Sequence, residues 1–169
     1  MVVIKIISLF LIVALCTILG VKKSKKYENR EYILRESITL FKGIENEIKY
    51  MLMPLPNAIE ITRQGLLTNL KDTMGNISYM MLRENLNASD VAFEIDKLSE
   101  LNLYDKQILT QGIVNLGASD VEGQVNVISL AVNSLENRLE EAIEEKKKNT
   151  KLYKTVGLMT GLMIAVIFI

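Results

Sequence analysis

The chain has 169 residues and balances 20 Lys plus Arg against 20 Asp plus Glu, a formal net charge of zero. That balance argues against general nucleic-acid binding, which needs a basic excess, and the absence of His removes the commonest general base and zinc ligand. A single cysteine, Cys16, excludes an intrachain disulfide and with it a disulfide-stapled extracellular module.

The first element is apolar. From Val2 to Val21 only Lys5, Ser8 and Thr17 interrupt the run, and a stretch of ~20 apolar residues spans a bilayer core as a helix. Lys5 lies near the outer end, where its stem reaches the interface. A cleaved signal peptide is the weaker reading, because the run exceeds a usual signal core and no small-x-small site precedes the lysines. Lipidation of Cys16 would need a small residue just before it, and Leu15 stands there. Residues 1–21 are therefore expected to form a transmembrane helix, with Cys16 facing lipid or packed within the membrane.

Residues 22–151 are expected to form a helical domain; roughly 130 residues are enough for one core. From Lys23 to Met53 the apolar positions Tyr27, Leu34, Ile38, Phe41, Ile44, Ile48 and Met51 fall on one helical face. Glu28, Glu31, Glu45, Glu47 and Lys49 are expected on the other. Pro54 and Pro56 end the helix and suit a restart at Pro56. Ile59, Thr62, Leu66 and Leu70 then face the core, and Gly65 weakens this second helix. Met74, Ile77, Met81 and Leu82 mark a third. Met51, Met53, Met74, Met80 and Met81 read as core rather than a binding surface. The stretch from Asn85 reads as a turn capped by Ser89, leading to Val91, Ile95 and Leu98. After a connection at Asn102, Ile108, Leu109, Ile113 and Leu116 form a helix stopped by Gly117.

The last helix is the clearest. Ser119 and Glu122 have capping-box spacing. The stripe Val121, Val125, Ile128, Val132, Leu135, Leu139, Ala142 comes next, with Asn126, Asn133, Asn137, Glu140, Glu141 and Glu144 outward. Asp120 reads as a first-turn acid favoured by the helix dipole, and Glu144 and Lys148 have a favourable pairing distance. Nothing breaks the helix before residues 152–169, a second expected transmembrane helix, so about 50 residues should run on for ~75 Å. Gly157 and Gly161 are four apart within it, a spacing that lets membrane helices approach closely. Lys22, Lys23, Lys25, Lys26 and Arg30 come after the first span, and Lys146, Lys147, Lys148, Lys151 and Lys154 flank the second. Both clusters border the central domain. The positive-inside rule places that domain in the cytoplasm and both termini on the opposite side. The fold class is all-α, a cytoplasmic helical bundle between two membrane helices, with no strand alternation to compete.

Catalytic equipment is not legible. There is no phosphate-loop or dinucleotide glycine motif, and no His or convincing Lys to activate a nucleophile. Glu45 and Glu47 are two apart on a helix and so diverge. The expectation is no enzyme, no metal, no cofactor, no nucleic acid and no small-molecule substrate.

Three blocks in order carry a resemblance. The first, E-N-E-I-K-Y-M-L-M-P-L-P-N-A, holds Glu45, Glu47, Ile48, Tyr50, Pro54, Leu55 and Ala58. The second holds Leu116, Gly117, Asp120, Gln124, Ile128, Ala131, Leu135 and Glu136. The third is Gly157, Gly161 and Leu162. In this pattern the chain resembles the stage III sporulation protein AB family of endospore-forming bacteria over essentially its whole length. The family usually has Thr before the first proline, where this chain has Met53. The resemblance implies membership of an eight-protein set made in the mother cell. That set forms a channel-like, secretion-like complex across the membranes around the forespore and supports late forespore gene expression. It further implies a domain similar to those of type II secretion platform proteins. The partners it implies are the other proteins of that complex, including its cytoplasmic ATPase. Its place would be the outer forespore membrane, on the mother-cell side. Glu45, Glu47, Tyr50, Pro54, Asp120 and Gln124 become candidate partner-binding residues, and Gly157 and Gly161 candidate membrane-helix packing residues. The alternative is a generic membrane-anchored helical scaffold or adaptor unrelated to secretion.

Overall fold

The computed structural model describes residues 2–83, 87–117 and 120–168; for 2–10, 12, 121, 154, 158, 162 and 165–168 it describes the backbone alone. All regular structure among the described residues is helical: α1 (Val2–Met51), α2 (Leu55–Arg63), α3 (Leu70–Arg83), α4 (Ala88–Asp96), α5 (Leu103–Gly117) and α6 (Val121–Phe168). The chain forms two compact units. One comprises Met1–Glu31 with Glu141–Ile169, the other Tyr32–Glu140.

The second unit holds the main core. Leu34, Phe41, Ile44 and Ile48 of α1, Ile59 of α2, Leu70, Met74 and Ile77 of α3, Val91 and Ile95 of α4, Leu109 and Ile113 of α5, and Ile128 and Leu135 of α6 are all buried. The expected stripes account for most of these. They do not account for Ile33 and Leu40, which are also buried. In this stretch α1 is covered over a wide arc, broader than one stripe. Met51 and Leu82, expected inside, are exposed. Met51 is the last residue of α1, and Leu82 stands one residue before the end of α3, so neither is covered by a neighbouring turn.

Polar side chains take up orphan backbone donors at the starts of α4 and α5, while proline geometry sets the start of α2. Pro54 caps α2 in extended geometry and Pro56 occupies its first turn, as the proline restart predicts. The Glu36 carboxylate accepts from the Leu67 N–H at 2.7 Å and the Thr68 N–H at 3.1 Å, tying the α2–α3 link to α1. Asn87, not Ser89, caps α4; Ser89 lies inside the helix. Asp90 decides this, because its carboxylate accepts from the Asn87 N–H at 3.2 Å. At α5 the pairing is reciprocal: Asn102 Oδ1 accepts from the Asp105 N–H at 2.9 Å, and Asp105 Oδ2 accepts from the Asn102 N–H at 3.2 Å. The expected Ser119–Glu122 box falls partly outside the described residues, since Ser119 is not among them. The described cap of α6 is Asp120, whose Oδ1 accepts from the Gly123 N–H at 2.9 Å.

The first unit pairs the start of α1 with the end of α6. The contacts run in opposite directions along the chain, so the two segments are antiparallel. Glycines set the spacing. A Cβ on Gly157 would lie 2.9 Å from the Cys16 carbonyl oxygen and 3.2 Å from Gly20 Cα. One on Gly161 would lie 3.0 Å from Val13 Cα, and one on Gly20 only 2.5 Å from the Tyr153 carbonyl oxygen. The glycine pair expected to permit a close approach therefore meets Cys16 and Gly20 of its own chain. Further along, Tyr27 stacks on Tyr153 with ring centroids 5.9 Å apart. Arg30 Nη1 donates to Glu145 Oε2 at 2.6 Å. Glu31, expected on the outward face, is buried and paired with Lys146 at 2.9 Å. Among the described residues, no helix is long and apolar enough to cross a membrane. Many side chains of the two expected spans, 1–21 and 152–169, lie outside that set.

Candidate partner-binding site

The candidate residues fall at two links. Glu45, Glu47, Tyr50 and Pro54 lie along the final turns of α1 and the turn into α2. Glu45 and Glu47 are both half-buried, while Tyr50 and Pro54 are exposed. The Lys49 ammonium sits over the Tyr50 ring, 5.6 Å from its centroid. Tyr50, Met51 and Leu52 are 70%, 69% and 76% exposed, an apolar step at the surface. Leu52 has φ 49°, the left-handed region. A non-glycine residue there costs roughly 1–2 kcal/mol. The chain thus holds a large apolar side chain outward on a turn that glycine would relax. The Met53 N–H returns to the Glu47 carbonyl at 3.2 Å and fixes this turn against the helix.

Asp120 and Gln124 occupy the α5–α6 link. Asp120 is the α6 cap, and Gln124 Nε2 donates to the Leu116 carbonyl at 3.0 Å, strapping the end of α5 to the first turn of α6. Both have local structural work. Among the described residues no hydrogen bond joins this pair to the Glu45–Pro54 group.

Two polar arrangements were not singled out by the sequence. The first is an open depression of about 590 Å³ beside α2 and α3, bordered by Asn57, Glu60, Arg63, Asp72, Asn76 and Tyr79. Arg63 Nε and Nη2 donate to the two Glu60 oxygens at 2.6 Å each. These bonds hold the Glu60 carboxyl below its ordinary range and raise the Arg63 guanidinium. The Glu-x-x-Arg spacing is the only sequence signal for it. The second is Glu94, buried on α4. Burial alone would raise its carboxyl, but hydrogen bonds from Lys97 and from the Asn76 amide, with the Lys97 charge, outweigh that and hold it low. Among the described residues no acidic or thiol cluster is placed to hold a metal ion.

Glu94 gives a pH prediction. Its folded-state affinity for a proton is depressed, so its stabilisation is present above the ordinary carboxyl value of 4.5 and is lost as pH falls below it. Glu94→Gln should therefore melt below the wild type at pH 7, with the gap closing as the buffer is taken below about pH 4. Thermal melts of both proteins across that range check this; a gap that stays constant contradicts it.

The family described as Stage III sporulation protein AB matches residues 5–169 of this chain, which takes in both links and the glycine pair. The chain belongs to the stage III sporulation protein AB family. The stage III sporulation protein AB of Bacillus subtilis (strain 168) is 28% identical over 167 residues, covering 95% of this chain and 96% of the relative. No solved structure matches. As a stage III sporulation protein AB family member, the chain is a sporulation stage III protein with an all-helical fold.

Proposed function

We propose that this family member is a non-catalytic platform component of a secretion-like complex between mother cell and forespore, needed for late forespore gene expression. The family match across residues 5–169 carries the reading. It is anchored in the membrane by residues 1–21 and 152–169. What supports this is the sequence: the runs Val2–Val21 and Leu152–Ile169 are largely apolar, and each borders a lysine cluster. By the positive-inside rule those clusters keep the central domain in the mother-cell cytoplasm. The other proteins of the complex, including its cytoplasmic ATPase, are the partners. The exposed, strained step at Tyr50–Leu52, beside Glu45 and Glu47, is the contact surface best supported by the geometry.

The test is co-purification of the tagged full chain from sporulating cells, as wild type and as Glu45→Lys with Glu47→Lys. The wild type is expected to bring down the ATPase and other set members. Charge reversal should abolish recovery through like-charge repulsion and lost pairs. If the two acids are only solvated the change is worth ~0–1 kcal/mol and recovery stays normal. Circular dichroism must show unchanged helix content for the loss to count as a contact effect.

A further inference from the structure

Residues 107–119 and 123–135 contain no Asp, Glu, Lys or Arg, although 24% of the whole chain is charged. These stretches supply most of α5 and the opening turns of α6. The two helices run antiparallel, with Leu116 bonded to Gln124 at one end and Asp105 to Arg138 at the other. The surface these stretches share is therefore uncharged. Amides edge it: Gln107, Gln111 and Asn115 on α5, Asn126 and Asn133 on α6, all exposed. Between the helices lies a groove of about 190 Å³. Ile108 and Asn115 line it from α5, and Val127, Leu130 and Ser134 from α6. Steps of three, four and seven put each set on one helical face. Gly112 and Ala131 lie buried at its floor. Leu130 forms one wall, and at 69% exposure it stands beside the groove as a knob.

Depletion of charge around an exposed apolar side chain marks the core of a protein–protein interface. It also narrows the partner. A nucleic acid, an anionic headgroup or an acidic peptide would need ion pairs that this face does not offer. A second copy of the same face fits it on three counts. No like charges are brought together. Each amide carries both donors and an acceptor, so amides satisfy amides. Knob and groove lie on one face, so a two-fold axis can place each copy's Leu130 in the other's groove. We propose that the α5–α6 face is an isologous interface between two copies of the chain, centred on Leu130. A face two helices wide and as long as the 15-residue α5 covers about 22 Å by 20 Å, on the order of 900 Å² for both copies. That is below the standard interface size, so the pairing is reversible. It makes no use of the Tyr50–Leu52 step and goes beyond the platform reading.

Native mass spectrometry of the full chain in a neutral detergent, over a concentration series, tests this. The wild type should form a dimer whose share rises with concentration. Leu130→Lys should weaken the association at least about ten-fold, because two like charges then meet in the groove. The same change at Leu67, 93% exposed on the α2–α3 link, should leave it unchanged. Because Leu130 is itself a wall of the groove, the two copies' Leu130 side chains meet. Leu130→Lys mixed with Leu130→Glu should therefore restore a one-to-one pair. If Leu130→Lys loses helix content by circular dichroism, Gln111→Lys on the facing wall carries the test, with the same loss expected. A wild type that stays monomeric at every concentration overturns the proposal. So does a dimer broken by Gly157→Leu and untouched by Leu130→Lys, which would place the interface in the first unit. Loss of pairing with no recovery in the Lys and Glu mixture overturns the two-fold arrangement. A monomeric chain whose Leu130→Lys variant no longer brings down other members of the complex would give this face to a different protein, overturning self-pairing and leaving the platform reading in place.

Discussion

Gly157→Leu is expected to separate the two segments of the first unit. The obstacle is backbone, not a side chain that could rotate away: the Cys16 carbonyl oxygen lies 2.9 Å from the position a Cβ would take, and Gly20 Cα 3.2 Å from it. Overpacking of a filled contact costs ~1–3 kcal/mol, and a leucine adds three carbons beyond the one that already clashes. Pulling the helices apart also removes the Tyr27–Tyr153 stack. The single native cysteine gives a direct readout. A Cβ on Gly161 lies 3.3 Å from Cys16 Cβ, close to the ~3.5–4.5 Å that a disulfide needs. Gly161→Cys should therefore form an intrachain cross-link with Cys16 under mild oxidation, seen as a faster band on a non-reducing gel. Adding Gly157→Leu should abolish it. A cross-link that instead doubles the mass would place the glycine pair at an interface between copies.

Asp105→Ala should strongly destabilise the second unit. Asp105 is completely buried and accepts from Arg138 Nε at 3.0 Å. It also takes part in the cap of α5. Removing one member of a buried ion pair costs about 3–5 kcal/mol, and loss of a cap adds about 1 kcal/mol. Arg138→Ala should cost a comparable amount: it leaves the fully buried Asp105 carboxylate behind but spares the α5 cap, whereas the Arg138 left by Asp105→Ala keeps some solvent contact. In the double variant the costs should fall short of their sum, the mark of a shared interaction. Denaturant unfolding of the four proteins measures this. A cost below about 1 kcal/mol for Asp105→Ala would mean that the pair is solvated.

How much of this was legible depended on how local each feature is. The α6 stripe reads directly, and Ile128, Val132, Leu135 and Ala142 are buried as the period requires. The proline restart at α2 is equally local. Asn87, Ser89 and Asp90 all have cap chemistry, and period alone could not choose among them; the choice of Asn87 comes from where Asp90 reaches back. Asp105 and Arg138 are 33 residues apart, so no short-range pattern joins them. Arg30 reads as one of the basic residues after the first span and Glu31 as outward-facing, and only the pairing with α6 shows them paired with Glu145 and Lys146. Gly20 looked like one more residue of an apolar run. At the candidate site, the order of the motif blocks was legible, but Leu52's backbone was not, because nothing in its side chain announces a positive φ.

We propose that the chain acts in sporulation, as part of a mother-cell complex, and not in growing cells. Deleting the gene and scoring both vegetative growth and the stage of sporulation arrest, with rescue by the wild-type gene, measures this most directly. Normal growth with sporulation halted after engulfment and few heat-resistant spores is the expected result. A growth defect with sporulation intact would contradict the account and favour a general membrane-anchored scaffold.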